Sequence, residues 1–426
     1  MNTSEIFKEF LSNLTVENKY EISSRYNGIT KRLNDSFHGI ESETYNSLQI
    51  GSYGRKTAVN GISDLDMIFE LSNETFKKYD NYETNGQSSL LQDVKKEILK
   101  TYSKSYIYAD GQVVVVNFSN YVVEVCPVFL QNDGTYKYPD SNQSGSWKKT
   151  NPRPEMEEIN KFNIITNGNL KNISKICRSW KNKCGVKIGG LLIDTLCYEF
   201  FKNNEKHFTT SFSNYDNLVK DFFYFLKEYN NSREYWHAPG SNQKIYKKKS
   251  NFVIKAKKSY PYIIEAIEKS DNNNVYEIWK KVFGFPFPYP KLIKESSLNF
   301  TSSEEYIENL YPVDIMNSLT INCEVSQVGF RNELLRNMLD KLKVSKKLKF
   351  FIEKTDVQEP YNIKWKVKNE GEIAKQKNNF RGEIFDGGNT RNEISSFGGS
   401  HFVDCYIIKN NVCVARDRIE VPISRI

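Results

Sequence analysis

The stretch that decides the fold reads Ile50-Gly51-Ser52-Tyr53-Gly54-Arg55-Lys56-Thr57, followed by Ser63-Asp64-Leu65-Asp66-Met67. Side chains two positions apart on a strand project from the same face, so Asp64 and Asp66 are expected side by side. Two adjacent carboxylates repel each other, and a divalent cation is the usual compensation. Mg²⁺, or Mn²⁺ in its place, can then bridge the phosphates of a nucleotide and lower the pKa of an attacking hydroxyl.

Small residues and a third acid extend this pattern. Gly51 and Ser52 allow backbone amides and a hydroxyl to approach a triphosphate. Glu124 is a lone acid in the apolar run Val122-Val123-Glu124-Val125-Cys126-Pro127, where a charge is expected only if it is paired or binds a metal. Asp64, Asp66 and Glu124 are therefore predicted to be the catalytic residues and the metal ligands. The alternative is a pair of solvated surface acids and a glutamate on an exposed edge strand.

Composition narrows the class of protein. The 426 residues allow two or three domains of roughly 150 residues each. A net charge of +8 suits a protein that handles polyanions, but ordinary surfaces also produce it. A mean hydropathy of −0.61 and the lack of a long apolar run argue against membrane insertion. The seven cysteines are scattered without a CxxC pair, and the N-terminus shows no secretion signal. These features predict a cytoplasmic protein whose cysteines are reduced.

Hydrophobic periodicity divides the chain into helical and strand-like segments. The first fifty residues and several segments between 155 and 283, including 260–268, are predicted to be helical. Strands are predicted at 62–71 and 112–130, on either side of a helix at 88–102, and a loop is predicted at 131–155. The proline-rich run at 284–290 ends the helical block. Further strands begin near residue 319, which indicates a separate β-rich domain.

Several of these segments resemble one family. GSYGRKT, SDLDM and VVEVCP are similar to the nucleotidyltransferase signature of the polymerase-β-like superfamily, and more narrowly to bacterial cGAS/DncV-like (SMODS-type) nucleotidyltransferases of antiphage signalling. ISKICRSWKNKCG (173–185), WHAPGSNQ (236–243) and IWKKVFGFPFP (278–288) resemble later parts of that core. The resemblance covers residues 1 to about 290. It implies an α+β fold with a two-lobed core, a mixed sheet plus a helical lobe, followed by a small β-rich domain.

The implied domains are a catalytic lobe with N-terminal helices (1–154), a helical nucleotide-binding lobe (155–290) and a C-terminal domain (300–426). Carried over residue by residue, the resemblance implies that nucleotides contact Gly51, Ser52, Arg55, Arg178 and Lys181. Arg178 stands where the family usually has Lys, and Glu124 stands where it usually has Asp.

The implied activity joins nucleoside triphosphates, ribo or deoxyribo, without a template. The expected product is a short cyclic or linear oligonucleotide, formed with release of pyrophosphate, that activates a separate effector protein. Two alternatives stay open. The same three acids could serve a terminal transferase that extends a nucleic-acid or protein hydroxyl, or the chain could be a catalytically inactive nucleotide sensor.

The C-terminal region resembles the adenylyl/guanylyl and SMODS C-terminal sensor domain. The matching segments are residues 361–369, Phe380-Arg381-Gly382 and 401–422. The resemblance implies that this domain senses a ligand. Four polar residues next to β segments are candidates for binding an anion there, namely Arg381, His401, Arg416 and Arg418. The alternative is a set of ordinary salt bridges with Asp404, Asp417 or Glu420.

Overall fold

The structure is a computed structural model that describes residues 2–61, 64–270, 275–289, 305–326, 332–338, 342, 344–369, 381–395 and 399–423. The chain divides into two compact units, Met1–Glu295 and Ser296–Ile426. The predicted domain limits at residues 290 and 300 lie outside the described residues. None of the helices in the described part of the chain combines the length and the apolar character of a membrane span.

A mixed sheet forms the first half of the N-terminal unit. Its strands are β1 (Ser47–Gln49), β2 (Asp64–Glu70), β3 (Tyr106–Asp110), β4 (Val113–Asn117), β5 (Val122–Leu130), β6 (Tyr136–Asp140) and β7 (Ser146–Thr150). The strand order is β1-β2-β5-β4-β3, and the hairpin β6–β7 continues from β5. Strands β2 and β5 run parallel, whereas the other neighbours are antiparallel. The two segments that carry the predicted acids are thus direct neighbours in the sheet.

Helices in this unit cover the sheet and then form a separate lobe. They are α1 (Thr3–Asn13), α2 (Lys19–His38), α3 (Gly51–Gly54), α4 (Asn73–Asp80), α5 (Gly86–Thr101), α6 (Pro152–Ile165), α7 (Asn169–Cys184), α8 (Gly190–Lys202), α9 (Tyr215–Lys227), α10 (Phe252–Glu268) and α11 (Val275–Phe283). A two-stranded hairpin of β8 (Tyr235–His237) and β9 (Lys244–Tyr246) lies between α9 and α10. Helix α6 begins at Pro152, so the predicted lobe limit at residue 155 falls in its first turn.

Alternation along the strands decides which face of the sheet is buried. Leu65, Met67 and Phe69 of β2 share one core cluster with Val123 and Val125 of β5, and with apolar residues of α2 and α5. Because neighbouring positions on a strand face opposite sides, the even-numbered residues of both strands project from the other face. Burial of one face therefore fixes the acids on the opposite one.

The helical lobe has its own core, which also includes α1. Phe7 and Phe10 of α1 pack against Trp279, Phe283 and Phe287, with ring centroids 5.0–5.9 Å apart across the two segments. Aromatic contacts of this kind contribute about 0.5–1.5 kcal/mol each beyond the buried area. The N-terminal helix thus joins the lobe formed by the last helices of the unit.

Two predicted segments differ from the structure. The predicted loop at 131–155 was wrong, because it contains β6 and β7; Gly134 and Gly145, which have positive φ, lie in the turns before these two strands. The helix predicted from Tyr260 begins at Phe252 instead, with Pro261 in its interior. Burial of Phe252, Val253 and Ala256 keeps the segment before the proline helical.

The C-terminal unit consists mainly of two four-stranded antiparallel sheets. Its elements are α12 (Ile307–Leu310), β10 (Leu319–Ser326), β11 (Glu333–Leu334), β12 (Lys347–Thr355), β13 (Asn362–Asn369), β14 (Ile384–Gly387), β15 (Thr390–Ile394), β16 (Gly399–Lys409) and β17 (Val412–Ile423). The sheet orders are β11-β10-β12-β15 and β14-β13-β16-β17. Ile321 and Phe350 of one sheet share a core with Trp365, Cys405 and Ile419 of the other. All seven cysteines are free thiols, and five of them are buried.

Candidate active site

A tight turn brings Gly51 against Asp66. The turn connects β1 to the short helix α3, and the Ile50 amide donates a hydrogen bond to the Asp66 carbonyl at 2.9 Å. Gly51 has a φ of +64°, and a Cβ at this position would lie 1.7 Å from Oδ2 of Asp66. Only glycine fits both the left-handed backbone and this close approach. The Gly-Ser turn therefore lies directly beside one of the predicted acids.

The three predicted acids lie on one face of the sheet. Asp64 begins β2 and is exposed, whereas Asp66 is partly buried. In the parallel pairing of β2 with β5, Asp66 is the register partner of Glu124. Register partners project from the same face, and neighbouring strands lie about 4.8 Å apart. The structure thus brings together side chains from two segments that are 58 positions apart in the chain.

This grouping of carboxylates changes their acidity. Burial, and next the charge of Asp64, raises the pKa of Asp66 to about 6, although Arg55 opposes the shift. Burial, and next the charges of Asp66 and Asp64, also raises the pKa of Glu124. Raised pKa values mean that the fold makes the ionised forms costly. A cation at this face would remove that cost.

The donor set suits Mg²⁺ or Mn²⁺. Carboxylate oxygens are the hard ligands that these ions prefer. Within the described residues, no three His, Cys, Asp or Glu side chains already form a ligand cluster. Mg²⁺ is usually held by one or two carboxylates together with substrate phosphates rather than by a complete protein cage. The residues present therefore fit an ion that binds with its nucleotide.

A cleft of about 470 Å³ opens at this face. Seven of the eight predicted site residues line it, namely Gly51, Ser52, Arg55, Asp64, Asp66, Arg178 and Lys181. Glu124 does not line it. The volume is within the usual range for small-molecule sites. Residues from the sheet and from α7 thus share one cleft.

Sequence reasoning missed a buried acid next to this cleft. Asp194 of α8 is 0% exposed, and it accepts hydrogen bonds from Arg55 and Arg178 at 2.7–2.9 Å. Complete burial opposes its ionisation, yet Arg178 and Arg55 hold the pKa of Asp194 below its ordinary value. The available signal was an aspartate inside the apolar run LLIDTLCYEFF, where a charge requires partners.

A second missed acid is Glu155, near the start of α6. It lines the cleft and accepts a hydrogen bond from the Ser241 hydroxyl at 2.8 Å. Burial raises the pKa of Glu155, against the effect of that hydrogen bond. Ser241 and Gln243 belong to the turn between β8 and β9, and Gln243 also lines the cleft. The WHAPGSNQ segment thus reaches the same site.

The four anion-binding candidates of the C-terminal unit are placed differently. Arg418 pairs with Asp404 at 2.6 Å, Arg416 pairs with Glu308 at 2.8 Å, and Arg381 pairs with Glu393 at 2.6 Å. A cavity of about 320 Å³ is lined by Arg381 and His401 but not by Arg416 or Arg418. The salt-bridge alternative thus accounts for all three arginines, although only Asp404 was among the expected partners.

Comparison with known proteins identifies the family. Residues 1–163 match the Second Messenger Oligonucleotide or Dinucleotide Synthetase (SMODS) domain, and residues 301–424 match the Adenylyl/Guanylyl and SMODS C-terminal sensor domain. The chain belongs to the bacterial cGAS/DncV-like nucleotidyltransferases. The predicted family is therefore confirmed for both parts of the chain.

Individual cGAS/DncV-like relatives are distant. A probable cyclic nucleotide synthase of Bacillus cereus is 23% identical over 320 residues, which cover 64% of this chain and 95% of the relative. A cyclic AMP-AMP-AMP synthase of an Acinetobacter strain is 23% identical, with coverage of 68% and 86%. The solved structure of CdnC from Escherichia coli MS115-1 with ATP gives a TM-score of 0.51 at 15% identity, covering 68% of this chain and 99% of CdnC. The predicted fold class is confirmed.

The raised pKa of Asp66 leads to a testable pH dependence in this cGAS/DncV-like enzyme. Between its ordinary value of 3.8 and about 6, the folded state binds the proton more tightly than the unfolded chain. Stability of the metal-free protein therefore falls as pH rises through this window, by about 3 kcal/mol at most. We expect Asp66→Asn to stabilise the metal-free protein at pH 7 but not at pH 4.

Thermal unfolding of both proteins in the presence of EDTA measures this difference. Groups outside this cluster of acids titrate equally in the two proteins, so the difference between them reports the charge of Asp66 together with its effect on the pKa of Glu124. An equal melting-temperature difference at pH 4 and pH 7 would contradict the electrostatic account of this site. Addition of Mg²⁺ at pH 7 is expected to raise the melting temperature of the wild type more than that of Asp66→Asn.

Proposed function

We propose that this chain is a metal-dependent nucleotidyltransferase that joins nucleoside triphosphates into a short cyclic or linear oligonucleotide. The observation that carries the proposal is the placement of Asp64, Asp66 and Glu124 on one sheet face beside the Gly51-Ser52 turn. Nucleoside triphosphates, ribo or deoxyribo, are the substrates. The homologous synthases named above support a short product.

In the proposed reaction, a ribose hydroxyl oxygen of one nucleotide attacks the α-phosphorus of another. A new P–O bond forms, the bond to the leaving group breaks, pyrophosphate departs, and the proton of the attacking hydroxyl passes to solvent. Bound Mg²⁺, or Mn²⁺, would supply neutralisation of phosphate charge and a more acidic hydroxyl. Asp64, Asp66 and Glu124 are the proposed ligands.

The chain's own residues would mainly position the nucleotide. The Gly-Ser turn lets the triphosphate approach the backbone beside Asp66, since no Cβ stands in the way. Arg55 and Lys181 place positive charge in the cleft, and the helical lobe supplies its second wall. Phosphoryl transfer depends on such positioning and on electrostatic stabilisation more than on covalent chemistry.

We place this activity in bacterial antiphage defence, with the product acting on a separate effector protein in the cytoplasm. Family membership supports this setting, as does the sensor domain at residues 301–424. A ligand of that domain would contact Arg381 and His401, because these two of the four candidates line its cavity. Domain limits at 1–154, 155–290 and 300–426 remain part of the proposal.

Product analysis tests the proposed function. Purified protein incubated with all ribo- and deoxyribonucleoside triphosphates and Mg²⁺ or Mn²⁺ is expected to release pyrophosphate and form an oligonucleotide of a few units, identified by mass spectrometry. Resistance to phosphatase would indicate a cyclic product, and sensitivity would indicate a linear one. A long ladder on a denaturing gel would instead favour the terminal transferase. Nucleotide binding without pyrophosphate release would favour the inactive sensor.

A further inference from the structure

A buried carboxylate joins the two sides of the nucleotide cleft. Asp194 lies on α8 of the helical lobe, whereas Arg55 and Thr57 follow α3 on the sheet side. Oδ2 of Asp194 accepts hydrogen bonds from Arg55 Nε at 2.8 Å and from Thr57 Oγ1 at 3.1 Å. Arg178 of α7 donates to both oxygens, at 2.7 Å and 2.9 Å. One side chain thus holds three residues from two parts of the unit.

The two arginines use their donors differently. Nη1 and Nη2 of Arg178 bond to Asp194 and also to the backbone carbonyls of Ser174 and Gly190, at 3.2 Å and 3.1 Å. Arg55 contacts Asp194 only through Nε, and its Nη1 and Nη2 make no hydrogen bond to the described residues. The Arg55 side chain is nevertheless only 5% exposed, and it lines the cleft. Two donors of a buried guanidinium therefore remain available at the cleft.

The same carboxylate also supports the Gly-Ser turn. Thr57, which donates to Asp194, is 0% exposed, and its amide donates to the Ser52 carbonyl at 2.9 Å. The Arg55 amide donates to the Gly51 carbonyl at 3.2 Å. The position of Asp194 is thus connected to the turn through two short paths. In addition, two arginines share one carboxylate, so this cluster keeps one net positive charge.

We infer that Asp194 is a positioning residue for the triphosphate, which holds Arg55 through Nε so that Nη1 and Nη2 bind a phosphate group. A guanidinium fork matches phosphate oxygens in a bidentate arrangement, provided that its orientation is fixed. Arg178 serves as the internal counter-charge of Asp194. This inference rests on the proposed function, because it takes a nucleoside triphosphate as the substrate.

The test compares ATP with adenosine, since the two ligands differ only in phosphates. Isothermal titration of the full chain is expected to show a dissociation constant for ATP raised at least about tenfold in Asp194→Asn. The constant for adenosine should change less than about twofold. If Asp194 had a purely structural role, Asp194→Asn would weaken the binding of ATP and of adenosine to the same extent, and that result would overturn the inference. Asp221→Asn is the matched control, because Asp221 is an ion-paired aspartate of the same helical lobe outside the cleft.

Two further variants keep the test decisive if Asp194→Asn fails to fold. Arg55→Lys retains the charge but loses the fork, and Thr57→Val removes one bond to Asp194 without changing any charge. Both variants are expected to raise the dissociation constant for ATP but not that for adenosine. The expected increase is about tenfold for Arg55→Lys and severalfold for Thr57→Val. Unchanged ATP binding in both would overturn the inference. These binding measurements do not need turnover. If the wild-type chain releases no pyrophosphate, that result refutes the proposed function but not the inference about Asp194.

Discussion

Replacement of Asp66 by Asn is expected to reduce pyrophosphate release by a factor of about 10³ or more. The amide is nearly the same size as the carboxylate, so Gly51 can still approach it and the turn should persist. The amide carries no negative charge, however, so the proposed Mg²⁺ ion would lose one of its carboxylate ligands. A loss of about 4 kcal/mol of transition-state stabilisation corresponds to this factor. Asp64→Asn should behave similarly, because both acids face the cleft.

Continuous detection of pyrophosphate with wild-type and variant protein measures this effect. Asp133→Asn provides a control, since Asp133 is an exposed acid in the turn between β5 and β6 of the same sheet. That variant should keep the wild-type rate. Circular dichroism and thermal unfolding establish that each variant is folded. Wild-type turnover in folded Asp66→Asn would show that the catalytic acids lie elsewhere.

The location of the acids on one face could be predicted because strand alternation is a local property. Leu65, Met67 and Phe69 must be buried, so Asp64 and Asp66 must point the other way. The pairing of Asp66 with Glu124 is not local. It depends on the register between two strands whose connection contains α4, α5, β3 and β4. The hydrophobic pattern of neither segment determines which residues of the two strands are paired.

The partners of the buried polar side chains also could not be predicted from the sequence. Arg178 was expected to face the triphosphate, yet its Nη donors bond to Asp194 and to two backbone carbonyls. Helical spacing predicts which side of α7 carries Arg178, but not which residue of α8 lies opposite.

The hairpin of β6 and β7 was missed for a different reason. Its short strands lie between turns rich in Asn, Gly and Ser, and pairing with β5 at Phe129 and Leu130 stabilises them.

Glu124 presents the sharper test of the proposed metal site. Its register partner is Asp66 on one side and Val115 on the other, so its strand is internal to the sheet. This position excludes the exposed edge strand that was the alternative explanation of this acid. The raised pKa of Glu124 arises from burial and next from Asp66 and Asp64, which places all three acids within electrostatic reach. A half-buried acid beside two others is costly to ionise unless a cation binds it.

We expect Glu124→Gln to lower the rate of pyrophosphate release by a factor of about 10² or more, because a ligand charge is lost. Glu124→Asp keeps the charge and has the length of the usual family residue, so it should stay within about tenfold of the wild type. Rates at increasing Mg²⁺ and Mn²⁺ distinguish weak metal binding from loss of fold. If Glu124 is a metal ligand, Glu124→Gln needs a higher metal concentration than the wild type to reach half of its maximal rate, whereas Glu124→Asp does not.

The position of Glu124 relative to the cleft determines what the Glu124→Gln measurement shows. Glu124 does not line the cleft that Asp64 and Asp66 line, so its contribution depends on reaching an ion held beside Asp66. Glutamate is one methylene longer than aspartate, which extends that reach. If Glu124→Gln keeps both the wild-type rate and the wild-type metal requirement, Glu124 is a structural acid of the sheet. The catalytic centre would then depend on Asp64 and Asp66, with substrate phosphates and water completing the coordination of the metal.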